Sequence, residues 1–181
     1  MIDPVVVLVT GPPGTGKSTL SEVAADELNA SVFGWDWSVA ALTGFEEMAA
    51  TLRSLDRETY RAVGWSIVWN LAVAQLRAGR SVVLDGVARD LEVEATRRLA
   101  AGLNARTTVV ASRCSDVHLH RQRVETRRRN IPGWHELEWA HVAEFLLAWH
   151  EPADVDLRLD SADPFDANAA ALVELIAREP R

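Results

Sequence analysis

A chain of 181 residues is long enough for one domain with a sizeable core, and 48% apolar with 25% charged residues is an ordinary soluble composition. The formal net charge of −7 disfavours long nucleic acid as a partner, because a phosphate backbone needs a basic surface. The single cysteine, Cys114, excludes an internal disulfide and fits a reducing compartment, and no apolar run approaches the roughly 20 residues of a membrane helix.

Strand and helix patterns alternate along the chain. "PVVVLVT" (4–10) is a continuous β-branched run, as in a strand buried on both faces. It is too short for a signal sequence, so the chain reads as cytoplasmic and without a membrane. Helical spacing follows over 17–30, with Leu20, Val23, Ala24 and Leu28 on one side. A short strand over 31–35 precedes two expected helices, 38–53 and 56–78, with Gly79 as the stop. "SVVLDG" (81–86) is a third strand, 90–104 a helix and 105–112 a fourth strand. A very basic helix is expected over 116–129. "NIPGW" interrupts the pattern, and helix is expected again over 135–149. Residues 153–160 read as the fifth strand and 166–178 as the last helix. This alternation predicts one α/β domain, 1–181, with a parallel sheet between layers of helices.

The first strand runs straight into "GPPGTGKST". Gly11, Gly14, Gly16, Lys17 and Ser18 match G-x-x-x-x-G-K-[ST], between a strand and a helix as the motif requires. Glycines there let backbone N–H groups turn toward a phosphate, which a Cβ would obstruct. Pro12 and Pro13 restrict the empty loop, and the helix N-terminus adds positive dipole character. Lys17 is expected on the β- and γ-phosphates and the Ser18 hydroxyl on Mg²⁺; Thr15 and Thr19 complete the contact stretch.

A phosphate loop names a nucleotide and leaves the reaction open. None of the five asparagines is followed by lysine, so the Asn-Lys-x-Asp guanine signature is missing. Asp85, at the end of the third strand, is followed by Gly86 rather than by a second acidic residue to activate water, which favours transfer over hydrolysis. Asp85 reads as a second Mg²⁺ ligand, or as a cap for the next helix. Asp36, in "FGWDWS", ends the second strand, where ligands of open parallel sheets bind. It reads as a general base or hydroxyl ligand, or as the N-cap of a helix starting near Ser38.

In "HRQRVETRRR", Arg123 and Arg127 share a helix face, one placed for adenine and the other for transferring phosphate oxygens. "NIPGW" next to them has the proline and glycine of a hinged lid, about 128–136. Seven tryptophans stand against one tyrosine. Most belong in a core, but Trp37 and Trp65 are placed as candidate wall of an acceptor pocket for a flat or apolar substrate. Cys114, His118 and His120 do not form a metal set, because the two histidines of a helix two residues apart diverge.

These segments, "VTGPPGTGKSTL", "GWDW", "SVVLDGVARD" and "RQRVETR", resemble the small P-loop kinases related to polynucleotide kinase, gluconate kinase, chloramphenicol phosphotransferase and zeta toxin. The resemblance implies a P-loop NTPase three-layer fold with a sheet ordered 2-3-1-4-5, a lid after the fourth strand, and an acceptor-binding helical segment over about 38–79. It places the base on Asp36, the adenine-side arginine on Arg123, the lid arginine on Arg127, and Arg89 near the acceptor. The expected function is ATP- and Mg²⁺-dependent transfer of phosphate to a hydroxyl of a small molecule. A nucleoside, nucleotide or nucleic-acid end kinase, and a nucleotide-binding switch with slow hydrolysis, are the alternatives. The oligomeric state is left open.

Overall fold

The computed structural model describes residues 3–178. Its sheet has five parallel strands in the order β2-β3-β1-β4-β5, with helices on both faces. This is the order the family resemblance implies. The strands are β1 (Val5–Thr10), β2 (Ser31–Gly34), β3 (Val82–Asp85), β4 (Arg106–Arg113) and β5 (Leu157–Asp160). The helices are α1 (Lys17–Leu28), α2 (Trp35–Thr43), α3 (Glu46–Ser54), α4 (Arg57–Arg77), α5 (Asp90–Ala101), α6 (Val117–Thr126), α7 (Trp139–Ala148) and α8 (Phe165–Ala177).

Strand β1 is central and buried at every position. Its side chains divide by the two-residue period of a strand. Val6 and Leu8, with Val82 and Leu84, pack on Trp65, Val68, Ala72 and Leu76 of α4 and Val93 and Ala100 of α5. Val5, Val7 and Val9, with Val83 and Val110, pack on Leu20 and Ala24 of α1 and Leu172 and Ile176 of α8. A sheet covered on both faces exposes its chemistry at the strand ends, and the carboxyl ends of β1, β2 and β3 carry the phosphate loop, Asp36 and Asp85.

Several boundaries depart from expectation, among them β5, which begins at Leu157 rather than 153, and α5, which ends at Ala101 rather than 104. Helix α2 begins at Trp35, earlier than the expected 38, because the strand stops at Gly34, an extended N-cap at φ −89°, ψ 135°. The expected helix 38–53 is two helices: Gly44 caps α2, and extended Phe45 caps α3, whose first turn carries Glu46 and Glu47 at its positive end. The basic helix ends at Thr126, with Arg127 as an extended C-cap, and helix resumes only at Trp139. The intervening segment holds Asn130 and Gly133 at positive φ (52° and 74°) around Pro132, which helical geometry does not accommodate. Helix α4 follows its pattern: Asp56 accepts from the Glu58 and Thr59 N–H groups, and Gly79 ends it at φ 71°.

Candidate functional site

The phosphate loop is held from outside by side chains far along the chain. Gly11 lies at φ 143° against the Ser112 carbonyl, where a Cβ has no room. Gly14 lies at φ 86°, and a Cβ there would meet Val124 and His120 of α6. His120 is 3% exposed; its Nε2 donates to the Pro13 carbonyl at 2.7 Å, and its ring meets Trp139 edge-on. Ser112 Oγ donates to the Thr15 carbonyl. Thr15 Oγ1 and Lys17 Nζ both donate to the Pro12 carbonyl, each at 2.9 Å.

Lys17 is the chain's only lysine. Burial lowers its pKa to about 8, Asp85 opposes the shift, and Arg127 and Arg129 reinforce it. A half-buried ammonium within reach of two guanidinium charges is a site that favours polyanions. Ser18 Oγ donates to Asp85 Oδ2 at 2.8 Å, and Asp85 stands beside Val9 of β1 and Gly34 of β2 in the ladder. A hydroxyl and a carboxylate converging next to a phosphate loop are hard oxygen ligands, which fit Mg²⁺.

A cavity of about 420 Å³ opens from this loop. Gly14, Gly16, Lys17, Ser18 and Thr19 line it, together with Arg123, Thr126 and Arg127 and, from beyond β5, Ser161, Asp163, Phe165 and Asn168. Arg123 and Arg127 therefore meet the same space, although Arg127 lies just outside the helix. Arg123 donates to Ser161 Oγ at 2.7 Å and to the Ser161 carbonyl at 3.0 Å, tying α6 to the turn after β5. Burial lowers the Arg127 pKa, and Asp85 and Glu136 act against that. The "SADPFDANAA" turn is without assigned chemistry in the sequence. The available signal was its place after a strand of a parallel sheet, on the same edge as the loop.

Asp36 sits in the first turn of α2 and is not an N-cap; Gly34 has that place, and Ser38 Oγ donates to the Gly34 carbonyl. The Asp36 carboxylate pairs with Arg129 of the segment between α6 and α7. The ring of Trp35, the residue before Asp36, meets Tyr60 edge-on at 5.4 Å and Trp134 edge-on at 6.1 Å. Trp35 Nε1 donates to the Arg61 carbonyl at 3.1 Å. Arg61 is itself anchored by Glu92 at 2.9 Å, with both side chains largely buried, and by the Val87 carbonyl.

Two expectations need correction. Trp65 is 1% exposed and packs under Gly86 beside Trp69, so it belongs to the core and lines no pocket. The phase of α4 turns it to the sheet. Arg89 pairs with Glu58 at 2.8 Å on the surface, while its backbone N–H bonds Glu92 at the start of α5. Trp37 is 53% exposed and lines a second, open cleft of about 480 Å³ with Ser18, Glu22, Phe33, Ser38, Leu71 and Asp85. Trp35 meets Trp134 edge-on at 6.1 Å. Among the described residues, no helix is long and apolar enough to cross a membrane.

A protein family described as an AAA domain matches residues 6–150. A UPF0200 protein of Aeropyrum pernix is 33% identical over 96 residues, covering 51% of each chain, so the present chain spans about half the length of that curated relative. Among solved structures, a gluconokinase of Sinorhizobium meliloti has a TM-score of 0.67 at 16% identity, over 98% of this chain and 94% of its own. Kti12 of Chaetomium thermophilum, in complex with ADP-AlF3, has a TM-score of 0.68 at 15% identity, over 94% and 96%. At these identities the likeness is one of fold, and the fold is that of the P-loop kinases.

Proposed function

The chain belongs to this AAA domain family, and on that premise we propose that it is an ATP-dependent kinase that passes a γ-phosphate to a hydroxyl of a small molecule in the cytoplasm. One observation carries the proposal: a phosphate loop with its half-buried lysine, a Ser18–Asp85 oxygen pair and the Asp36 carboxylate stand together at the ends of three adjacent strands, under a lid bearing Arg127.

In this reading the triphosphate lies along residues 11–19, with the base toward Arg123, Ser161 and Phe165. Lys17 meets the β- and γ-phosphate oxygens, and Arg127 meets the oxygens of the group in transfer. Ser18 and Asp85 would hold a Mg²⁺, which would supply charge neutralisation to the phosphates. Asp36 orients the acceptor hydroxyl and takes its proton as the acceptor oxygen bonds to phosphorus and the bond to ADP breaks. Trp35, Tyr60 and Trp134 give the acceptor an apolar, aromatic surround, and Trp37 offers a further apolar face in the neighbouring cleft.

The test is a screen of hydroxyl compounds (sugars, nucleosides, antibiotics) for acceptor-dependent release of ADP, with the phosphorylated product identified by mass. Acceptor-stimulated transfer that disappears in Asp36→Asn supports the reading. Tight ATP binding with turnover that no acceptor stimulates would replace it with a nucleotide-dependent switch.

A further inference from the structure

Asp36 has the position of a base, but its carboxylate is already taken. Its partner Arg129 is the more buried of the two, with 16% of its side chain exposed against 32%. The lid around Arg129 is docked on α2. Thr43 Oγ1 donates to the Gly133 carbonyl at 3.1 Å, Ile131 is buried, and Trp134 meets Trp35. Between the lid and the phosphate loop only about 20 Å³ remains, walled by Pro13, Gly14, Arg127, Arg129 and Trp134. That is room for roughly one water molecule. Arg129 thus borders both the carboxylate and the loop, and its charge reaches Lys17, whose ammonium it disfavours together with Arg127.

A guanidinium presents the same planar fork to a carboxylate and to a phosphate. Resting on the triphosphate site proposed above, we infer that Asp36 and the γ-phosphate compete for Arg129, so that the lid arginine holds the base in an ion pair until a triphosphate draws it away. Arg129 is then a positioning residue that orders the events. Asp36 becomes able to accept a proton only when a phosphate is present to be transferred. ADP has no γ-phosphate and leaves the pair closed. Arg127 differs, because it faces the nucleotide cavity and Asp85 is among its carboxylate neighbours, whereas Glu136 faces both arginines.

The competition is read at equilibrium, without knowledge of the acceptor, by measuring AMP-PNP and ADP affinities of the full chain in the presence of magnesium. Asp36→Asn frees Arg129 and should tighten AMP-PNP about fivefold while leaving ADP within about twofold. In an Arg129→Gln background the same Asp36→Asn change should alter neither ligand. Arg129→Ala repeats the measurement without a side chain that can bond the carboxamide, and thermal unfolding of each variant reports that it is folded. Three results would overturn the inference: equal effects on AMP-PNP and ADP, no tightening by Asp36→Asn, or tightening that survives the loss of Arg129. Failure of the wild-type chain to bind AMP-PNP, or binding that Lys17→Ala does not weaken, would overturn the triphosphate site itself and the inference with it.

Discussion

Ser18 Oγ donates a 2.8 Å hydrogen bond to Asp85 Oδ2, joining the first residue after the phosphate-loop lysine to the end of the neighbouring strand. The two residues are far apart in the chain and meet because β1 and β3 pair in parallel, Val9 opposite Asp85. A hydroxyl that donates to a carboxylate in this way can release it to a cation and turn a lone pair to the same ion. Asp85→Asn should therefore raise the magnesium concentration that half-saturates AMP-PNP binding by about tenfold or more, and Ser18→Ala should do so in the same direction. A magnesium titration at fixed nucleotide measures both, and an unchanged midpoint in Asp85→Asn would remove Asp85 from the metal site.

Lys17 sets a pH dependence with a definite sign. Its folded pKa is about 8, against 10.5 for an ordinary lysine. Between those values the unfolded chain keeps a proton that the folded chain has lost, so stability from this group rises as pH climbs from about 8 toward 10.5. Nucleotide affinity runs the other way, because phosphate oxygens need the ammonium. AMP-PNP affinity should be level below pH 8 and fall above it. Since Lys17 is the only lysine, amine modification followed by mass spectrometry reports its titration directly. Wild-type chain should gain thermal stability relative to Lys17→Met as pH is raised from 7 to 10, and a constant difference would contradict the lowered pKa.

Arg123 and Arg127 line one cavity and should fail differently. Arg123 is fastened to Ser161 on the side remote from Asp85, where the base is placed. Arg123→Ala should weaken ADP and AMP-PNP alike, by about tenfold, or roughly 1.4 kcal/mol. Arg127→Ala should lower kcat by about 10² while ADP affinity stays close to wild type, as expected for a charge that acts mainly on the group in transfer. Isothermal titration with both nucleotides and turnover of the identified acceptor separate the two patterns. A base-independent loss confined to AMP-PNP in Arg123→Ala would reverse the assignments.

Two tryptophans distinguish core from pocket by stability alone. Trp65 is 1% exposed between α4 and the sheet, and Trp65→Ala should cost about 3–5 kcal/mol in urea unfolding. Trp37 is 53% exposed, and Trp37→Ala should change stability by less than about 0.5 kcal/mol. Comparable losses at the two positions would mean that the β2 edge is covered in solution.

Much of the site was readable before any contact was known, where its parts are adjacent in the chain. Gly11 to Thr19 is contiguous, so the glycines, the lysine and the hydroxyls declare their purpose within nine residues, between a strand and a helix that the apolar pattern identifies. Asp36 and Asp85 follow from the same logic, because Asp85 ends a strand and Asp36 lies two residues past one, and the carboxyl edge of a parallel sheet is where ligands collect. The strand order required the family resemblance as well, since alternating patterns do not say which strands are neighbours.

Other assignments depended on distances that no local pattern encodes. Of the three successive arginines 127–129, the path of the chain through Asn130 and Gly133 puts Arg127 on the cavity beside the phosphate loop and Arg129 on Asp36. Helix α2 starting at Trp35 rather than 38 turns Trp35 toward Tyr60 and Trp134 and leaves Trp37 on the outer cleft, while the phase of α4 sinks Trp65 into the core. His120 and the turn at Ser161 reach the phosphate loop only because α6 and β5 fold back beside β1 through β4. Motifs are legible where chemistry demands neighbouring residues. Partners chosen by helix phase, cap position and sheet order become visible only when the backbone has been closed, because a shift of one residue or one strand exchanges every one of them.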